Sequence, residues 1–240
     1  EVILKSYRQW GTDAVAHLDG MFAFALWDEK REQLLLARDR FGKKPLYYAF
    51  DGDTLIAASE IKTLLASGKI EGRLSREALD NYLRLMYIPP WKSVYENVHQ
   101  IPPAHYGVFK GGALSLTRYW RLEYKSLSIS YADAKEEVRR LLTEAVQKRM
   151  LASDVEVGAL LSGGVDSTFV CLLAKKYLNH PLKTFSLGYS DYINELPFAE
   201  QAAKAIGSEH HTLQASGNMV EEFEKIIAYF DEPHADSSDF

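Results

Sequence analysis

The strongest constraint on the fold is a change in hydrophobic period near the middle of the chain. Between Met21 and Ala58, apolar residues occur in short β-rich runs (21–27, 33–37, 46–50 and 54–58) that polar or glycine-containing turns separate. From Ser130 onward, apolar residues recur at helical spacing over a long segment. The change predicts two regions of different architecture, with a boundary at 126–130.

The first region is predicted to contain antiparallel hairpins and short helices. Residues 1–10 form an amphipathic pattern that ends at Gly11, and further helices are expected at 60–66 and 76–86. Ser75 is the expected N-cap of the helix at 76–86. Another hairpin is expected around Gly111 and Gly112.

The second region alternates strands with helices. Ser130 is the expected cap of a long helix, and strands are expected at 155–161, 183–187 and 209–213. Helices are expected at 167–178, 196–206 and 219–230. This alternation is typical of a parallel sheet with helical crossovers. The predicted fold class is therefore α+β and α/β, in two domains at 1–125 and 126–240.

Composition narrows the possible partners. The 240 residues carry 28 Lys plus Arg against 33 Asp plus Glu, so the net charge of -5 offers no overall basic surface to nucleic acid or an anionic membrane. We find no apolar run long enough to span a bilayer and no signal-peptide pattern. Cys171 is the single cysteine, which excludes intramolecular disulfides. These features favour a cytoplasmic protein that acts on small molecules.

The sharpest motif is Ser162-Gly163-Gly164-Val165-Asp166-Ser167, between the predicted strand at 155–161 and the following helix. Two adjacent glycines allow close backbone approach to a ligand, and the helix directs its positive end at the loop. Ser162 and Ser167 add hydroxyl donors, and Asp166 supplies a carboxylate of the kind that anchors Mg²⁺. Neither the Walker pattern nor the dinucleotide pattern is present. The loop is predicted to hold phosphate without a lysine clamp.

This loop resembles the pyrophosphate loop of ATP pyrophosphatases, which adenylate a substrate. The flanking segments 18–28, 37–48 and 58–62 resemble the later half of a class II glutaminase domain. Segments 185–188, 194–199, 209–211 and 231–238 resemble the synthetase domain of glutamine-hydrolysing asparagine synthetases of the B type. The resemblance extends over essentially the whole chain, in the order of that family.

The resemblance implies a partial N-terminal-nucleophile-type glutaminase domain followed by a parallel-sheet ATP pyrophosphatase-like (adenine nucleotide alpha hydrolase-like) domain. Its substrates would be glutamine, aspartate and ATP, with Mg²⁺ as cofactor and asparagine as product. Nucleic acid and membranes are not expected partners, and a homodimer is an open alternative. The residues implied in ATP and pyrophosphate binding are Leu161, Ser162, Gly163, Gly164, Val165, Asp166, Ser167 and Leu187, with Asp166 as the metal ligand.

Several interpretations stay open. Glu232 and Asp236 lie in a charged segment that is predicted either to contact substrate or Mg²⁺ or to be an ordinary helix stop. Arg38 and Asp39 begin a small cluster of charges that we interpret as structural ion pairing. Cys171 is interpreted as a buried apolar residue.

The resemblance also implies that the glutaminase nucleophile is an N-terminal cysteine, for which Glu1 cannot substitute. We therefore expect a piece of a longer protein that, as it stands, lacks glutaminase activity and the key acid of the synthetase step. Alternatives are an amidotransferase of the same family with another carboxylate acceptor, and a non-catalytic truncated homologue that acts as a scaffold.

Overall fold

The structure is a computed structural model that describes residues 1–189, 194–215 and 219–233. The chain divides into two compact units. The first consists of residues 1–124 and the segment that begins at Met219, and the second begins at Lys125 and includes the described residues up to 215. The described residues contain no helix long and apolar enough to cross a membrane.

The described part of the chain contains eight α-helices, a short 3-10 helix at Gly11–Asp13 and ten strands. The helices are α1 (Val2–Trp10), α2 (Ala14–His17), α3 (Ile61–Ala66), α4 (Arg76–Leu85), α5 (Tyr131–Ala152), α6 (Val165–Lys175), α7 (Leu196–Ile206) and α8 (Met219–Phe230). The strands are β1 (Ala23–Asp28), β2 (Gln33–Arg38), β3 (Tyr47–Asp51), β4 (Thr54–Ala58), β5 (Val98–Gln100), β6 (His105–Lys110), β7 (Ala113–Arg118), β8 (Gly158–Leu160), β9 (Lys183–Tyr189) and β10 (Glu209–Ala215).

The first unit stacks two antiparallel sheets between helices. One sheet has the order β1-β2-β6-β7 and the other β4-β3-β5. Neighbouring residues on a strand point to opposite faces, so Leu35 packs with α1 while Leu34 and Leu36 face the second sheet. Tyr48 meets them from that sheet, and Ala49 packs with α3 on its far side. The layers are therefore helix, sheet, sheet and helix, and the predicted hairpins are confirmed.

A turn at residues 38–44, of which Arg38 and Asp39 are buried, links β2 to the second sheet. The Asp39 side chain is buried, and its carboxylate accepts hydrogen bonds from the backbone N–H groups of Phe22, Phe41, Lys43 and Lys44. The Arg38 guanidinium donates to the Gln100 side chain and to the carbonyl groups of Gly42, Lys44 and Ile101. The predicted ion pairing is therefore replaced by hydrogen bonds, mostly to backbone groups, that stabilise the turn.

The second unit contains a parallel sheet with the order β10-β9-β8. One face packs against α6 and α7, and α5 joins the same core through Val146. Leu160, Phe185 and Leu213 lie on the opposite face and are exposed. The parallel arrangement places the carboxyl ends of all three strands at one edge.

Most predicted elements are confirmed, including both serine caps. The Ser75 and Ser130 hydroxyl groups accept hydrogen bonds from the N–H groups of Ala78 and Asp133, three residues further on. The strand predicted at 155–161 is shorter, since only Gly158–Leu160 pairs with β9. Helix α8 forms as expected, but it groups with the first unit although the sequence pattern assigns it to the second domain.

Candidate functional site

The diglycine loop lies at the carboxyl edge of the parallel sheet. It connects the end of β8 to the start of α6, which is the position where open parallel sheets bind ligands. Ser162, Gly164 and Asp166 are exposed. The neighbouring Val165 side chain is also 85% exposed. The loop is therefore open to a ligand from solvent.

Gly163 fixes the path of this loop. Its φ is +80°, a conformation that L side chains rarely adopt. A Cβ atom at this position would lie 2.4 Å from the carbonyl carbon of Phe198 and 2.6 Å from the backbone nitrogen of Ala199. Both atoms belong to the first turn of α7, so the starts of two helices meet the loop. Glycine is required here by conformation and by space.

The hydroxyl groups of Ser162 and Ser167 face each other across the loop. Their oxygen atoms are 3.0 Å apart, and the N–H groups of Ser162 and Gly164 contact them only at 3.4 Å. Gly164 is the N-cap of α6 and provides no side-chain cap to the helix. The first N–H groups of α6 therefore have no side-chain acceptor, and together with the hydroxyl groups they form a set of donors suited to an anion.

Asp166 stands in the first turn of α6 with its carboxylate exposed. It makes no hydrogen bond or ion pair with the residues that the structure describes. The described residues contain no group of three or more His, Cys, Asp or Glu side chains that could hold a metal by themselves. A single carboxylate lies beside N–H and hydroxyl groups that could donate hydrogen bonds to a phosphate. This arrangement fits Mg²⁺ that arrives with a nucleotide, because that ion keeps phosphate and water oxygens among its ligands.

The two predicted leucine contacts differ in position. The Leu161 side chain is 1% exposed and belongs to the core of the second unit. Its N–H donates to the Phe185 carbonyl at 2.9 Å, and its carbonyl accepts from the Ser186 hydroxyl. Leu187, near the carboxyl end of β9, is 39% exposed. Leu187 is therefore accessible to a ligand, whereas Leu161 forms the floor below the loop.

Glu232 lies in the first unit, directly after α8. Its carboxylate accepts hydrogen bonds from the Val94 N–H at 2.7 Å and from the Tyr47 hydroxyl at 3.3 Å. Burial raises its pKa above the usual range, and the nearby Asp231 carboxylate adds to this effect, while the two hydrogen bonds act in the opposite direction. Asp236 lies outside the described residues.

Cys171, His210 and His211 do not belong to any group of three or more potential metal ligands among the described residues. Cys171, on α6, is fully buried in the core of the second unit, and burial raises the pKa of its thiol. His210 accepts from or donates to the Thr184 hydroxyl, whereas His211 stacks on Phe185 on the exposed face of the sheet. The two imidazoles therefore point to opposite faces, as the strand pattern predicts.

Two contacts of the loop were not apparent from the sequence. The Ser186 hydroxyl holds the Leu161 carbonyl, and the first turn of α7 packs on Gly163. A serine that alternates with apolar residues in a short strand was the available signal for the first contact. No local pattern indicates the second, because it depends on how α7 packs.

Comparison with known families identifies the class of protein. Residues 1–120 match the family of glutamine amidotransferase domains, and residues 137–240 match the asparagine synthase family. The chain therefore belongs to the glutamine amidotransferases.

Individual relatives agree with this membership. The chain is 36% identical over 250 residues to asparagine synthetase [glutamine-hydrolyzing] 3 of Bacillus subtilis, covering 97% of this chain and 41% of that protein. It is 39% identical over 176 residues to amidase chry2 of Gibberella zeae, covering 71% of this chain and 25% of that protein. The chain spans less than half the length of the curated relatives that it matches.

Among solved structures, glutamine phosphoribosylpyrophosphate amidotransferase from B. subtilis, complexed with ADP and GMP, is 16% identical. The match covers 92% of this chain and 42% of that protein, with a TM-score of 0.35.

Proposed function

We propose that this chain is part of a glutamine-hydrolysing asparagine synthetase that forms asparagine, glutamate, AMP and pyrophosphate from aspartate, glutamine and ATP. The observation that carries the proposal is the open diglycine loop at the carboxyl edge of the parallel sheet, in a chain whose second part matches the asparagine synthase family. The identity of 36% to a named asparagine synthetase supports aspartate as the acceptor.

The second unit would activate the acceptor by adenylation. The aspartate side-chain carboxylate attacks the α-phosphorus of ATP, a carboxyl–phosphoryl bond forms, and the bond to pyrophosphate breaks. Negative charge builds on the leaving pyrophosphate, where hydroxyl and N–H donors already point into one space. Ser162, Gly163, Gly164, Val165 and Ser167 would supply these donors, and Leu187 would contact the nucleotide. No protein nucleophile is needed for this step.

Mg²⁺ would be held through Asp166, and it would neutralise phosphate charge when bound. The carboxylate stands one residue inside the helix start, on the open side of the loop. Leu161 would support the loop from the core, since its side chain and both backbone groups are already engaged.

The first unit would belong to the N-terminal-nucleophile type of glutaminase. Its order of layers, helix, sheet, sheet and helix, supports this assignment, as does its match to glutamine amidotransferase domains. The second unit would be ATP pyrophosphatase-like, as its parallel sheet and loop suggest. A cytoplasmic location and a homodimer stay predictions.

A second candidate is an amidotransferase that uses another carboxylate acceptor. The amidase relative, at 39% identity over 71% of this chain, favours it. The loop chemistry is the same in both cases because adenylation acts on any carboxylate. The acceptor decides between them, so pyrophosphate release by the full-length gene product must depend on aspartate if the first proposal is right.

Binding of Mg²⁺-ATP to the 240-residue chain tests the loop directly. Asp166→Ala removes the proposed metal ligand, and we expect binding at least about tenfold weaker by titration calorimetry. Asp154→Ala is the matched control, because Asp154 is an exposed aspartate of the same unit. Equal affinity of wild type and Asp166→Ala would refute the assignment of the loop.

A further inference from the structure

The segment that follows α8 is attached to the first unit by a dense set of hydrogen bonds. Asp231, Glu232 and Lys62 make them, and we call this group the clasp. The bonded residues are separated by 138 to 185 positions in the sequence. Such long separations show that tertiary structure, and not a local helix stop, determines the position of the segment.

Lys62 and Asp231 cap each other's helices. The N-cap residue of α3, Glu60, makes no side-chain cap bond, but the Asp231 carboxylate accepts from the Lys62 N–H in the first turn of that helix at 3.1 Å. In return, the Lys62 ammonium donates to the Ala228 and Tyr229 carbonyl groups at the end of α8, at 3.3 and 2.8 Å. Each charge matches the helix end that it faces, positive at the carboxyl end and negative at the amino end.

Glu232 supplies the second attachment. Its Oε1 accepts from the Val94 N–H and its Oε2 from the Tyr47 hydroxyl. Tyr47 lies on β3, so the carboxylate joins a loop and a sheet of the first unit. Both oxygens of Glu232 are engaged, which leaves the carboxylate poorly suited to bind a metal ion or a substrate amine.

The clasp joins residues that match two different families. Helix α8 and Glu232 lie within the asparagine synthase match, whereas Lys62, Tyr47 and Val94 lie within the glutamine amidotransferase match. We propose that the clasp fixes α8 on the glutaminase-type unit and that Glu232 is a positioning residue in it, with no contact to substrate or Mg²⁺. The proposal replaces the ligand role that the charged sequence pattern suggests for Glu232.

Hydrogen exchange on the 240-residue chain tests the clasp without reference to any activity. In Glu232→Ala the Val94 N–H loses its acceptor, and we expect its exchange to be at least about tenfold faster. Glu232→Gln keeps an acceptor oxygen and should restore protection. Glu224→Gln is the matched control, because Glu224 is an exposed acid on α8 itself. The Leu161 N–H, bonded within the second unit, is the internal reference for intact folding.

If the Val94 N–H were equally protected from hydrogen exchange in wild type and Glu232→Ala, the proposed role of the clasp would be overturned. Equal loss of protection in Glu232→Gln and Glu232→Ala would overturn the role of the acceptor oxygen. Asp231→Ala checks the other arm, since it should speed exchange of the Lys62 N–H and leave the Leu161 N–H unaffected.

A kinetic readout separates positioning from ligand binding, and it rests on the proposed function. In the full-length gene product, Glu232→Ala should lower the ratio of glutamine-dependent to ammonia-dependent asparagine formation. The reason is that a misplaced α8 would weaken the coupling of glutamine hydrolysis to asparagine formation. Glu232→Gln should restore that ratio. An unchanged ratio with both activities reduced would favour the ligand role and overturn ours. Absence of asparagine formation from aspartate, ATP and ammonia in the wild type would refute the proposed function, while the exchange result would still decide the clasp.

Discussion

Two glycine-containing turns, one in each unit, use similar backbone geometry for opposite purposes. The turn at 38–44 and the loop at 162–167 each contain a glycine with positive φ, +63° at Gly42 and +80° at Gly163. At both glycines a Cβ atom would meet neighbouring atoms at less than 3 Å. In both turns several backbone N–H groups converge on one space.

The difference lies in what accepts those N–H groups. In the turn at 38–44, Asp39 is 2% exposed, and its carboxylate accepts from three N–H groups of the turn and from the Phe22 N–H. In the loop at 162–167, the N–H groups of Ser162 and Gly164 meet serine hydroxyl groups at 3.4 Å as their side-chain acceptors among the described residues, and most of the loop is exposed. A turn that contains its own anion is structural, whereas a turn that leaves its donors open can bind an anion from outside.

The largest expected effect comes from removing the internal anion. Asp39→Ala leaves four part-buried N–H groups without this acceptor, so we expect the first unit to lose about 4 kcal/mol of unfolding free energy. All four tryptophans lie in this unit, so tryptophan fluorescence during urea unfolding reports on it selectively. Asp53→Ala, at an exposed turn, is the control and should change stability by less than about 0.5 kcal/mol. A small effect of Asp39→Ala would remove the contrast between the two turns.

The next effect concerns the open loop. Gly163→Ala forces a Cβ atom against the backbone of α7 and strains a positive φ, so we expect a loss of about 3 kcal/mol in the second unit. Circular dichroism should detect this loss, and tryptophan fluorescence should not, because the second unit contains no tryptophan. Gly164→Ala is the matched control, since the nearest atom to its Cβ would be the Ser162 hydroxyl oxygen at 3.4 Å. Equal destabilisation by both variants would contradict the role of Gly163.

The smallest effect concerns a buried acid that faces hydrogen-bond donors, as Asp39 does. Burial holds the pKa of Glu232 above its ordinary value of 4.5, so folding favours the protonated acid. The resulting stability is present below pH 4.5 and is lost as the pH rises through the raised pKa of the folded state. Glu232→Gln removes this loss, and we expect it to stabilise the first unit at pH 7 by less than either of the two losses predicted above.

Unfolding of wild type and Glu232→Gln from pH 4 to pH 8, followed by tryptophan fluorescence, checks this sign. The titratable groups that act on the carboxylate are Tyr47 and Asp231, while Lys62 pairs with Asp231 and Arg38 acts on Tyr47. If the extra unfolding free energy of Glu232→Gln over wild type grew as the pH falls, the hydrogen bonds would outweigh burial in setting the pKa of Glu232.

Local patterns predicted the parts of the fold that depend on neighbours in sequence. Period two identified β1 to β4, because alternate residues of each strand pack on different layers. The hydroxyl groups of Ser75 and Ser130 marked helix starts, because a cap bond spans only three residues. The diglycine loop was likewise visible, because its conformational requirement is local.

Features that depend on distant residues were less predictable. The interpretation of Arg38 as an ion-pairing residue missed its bonds to Gln100 and Ile101, more than 60 positions away. Glu232 was predicted as a ligand or a helix stop, since nothing near it in sequence indicates Tyr47 and Val94 as partners. The burial of Leu161 was likewise not predictable from its neighbours in sequence, because it depends on packing against α5, α6 and α7.

The sequence by itself determined the two architectures, the helix caps and the presence of a diglycine loop, because periodicity, capping and glycine conformation act over a few residues. Only the tertiary structure decided which turn keeps its donors open, which carboxylates are engaged and which unit holds α8. Those outcomes depend on the free energy of burying charged groups against partners that are remote in the chain, and no local pattern encodes that energy.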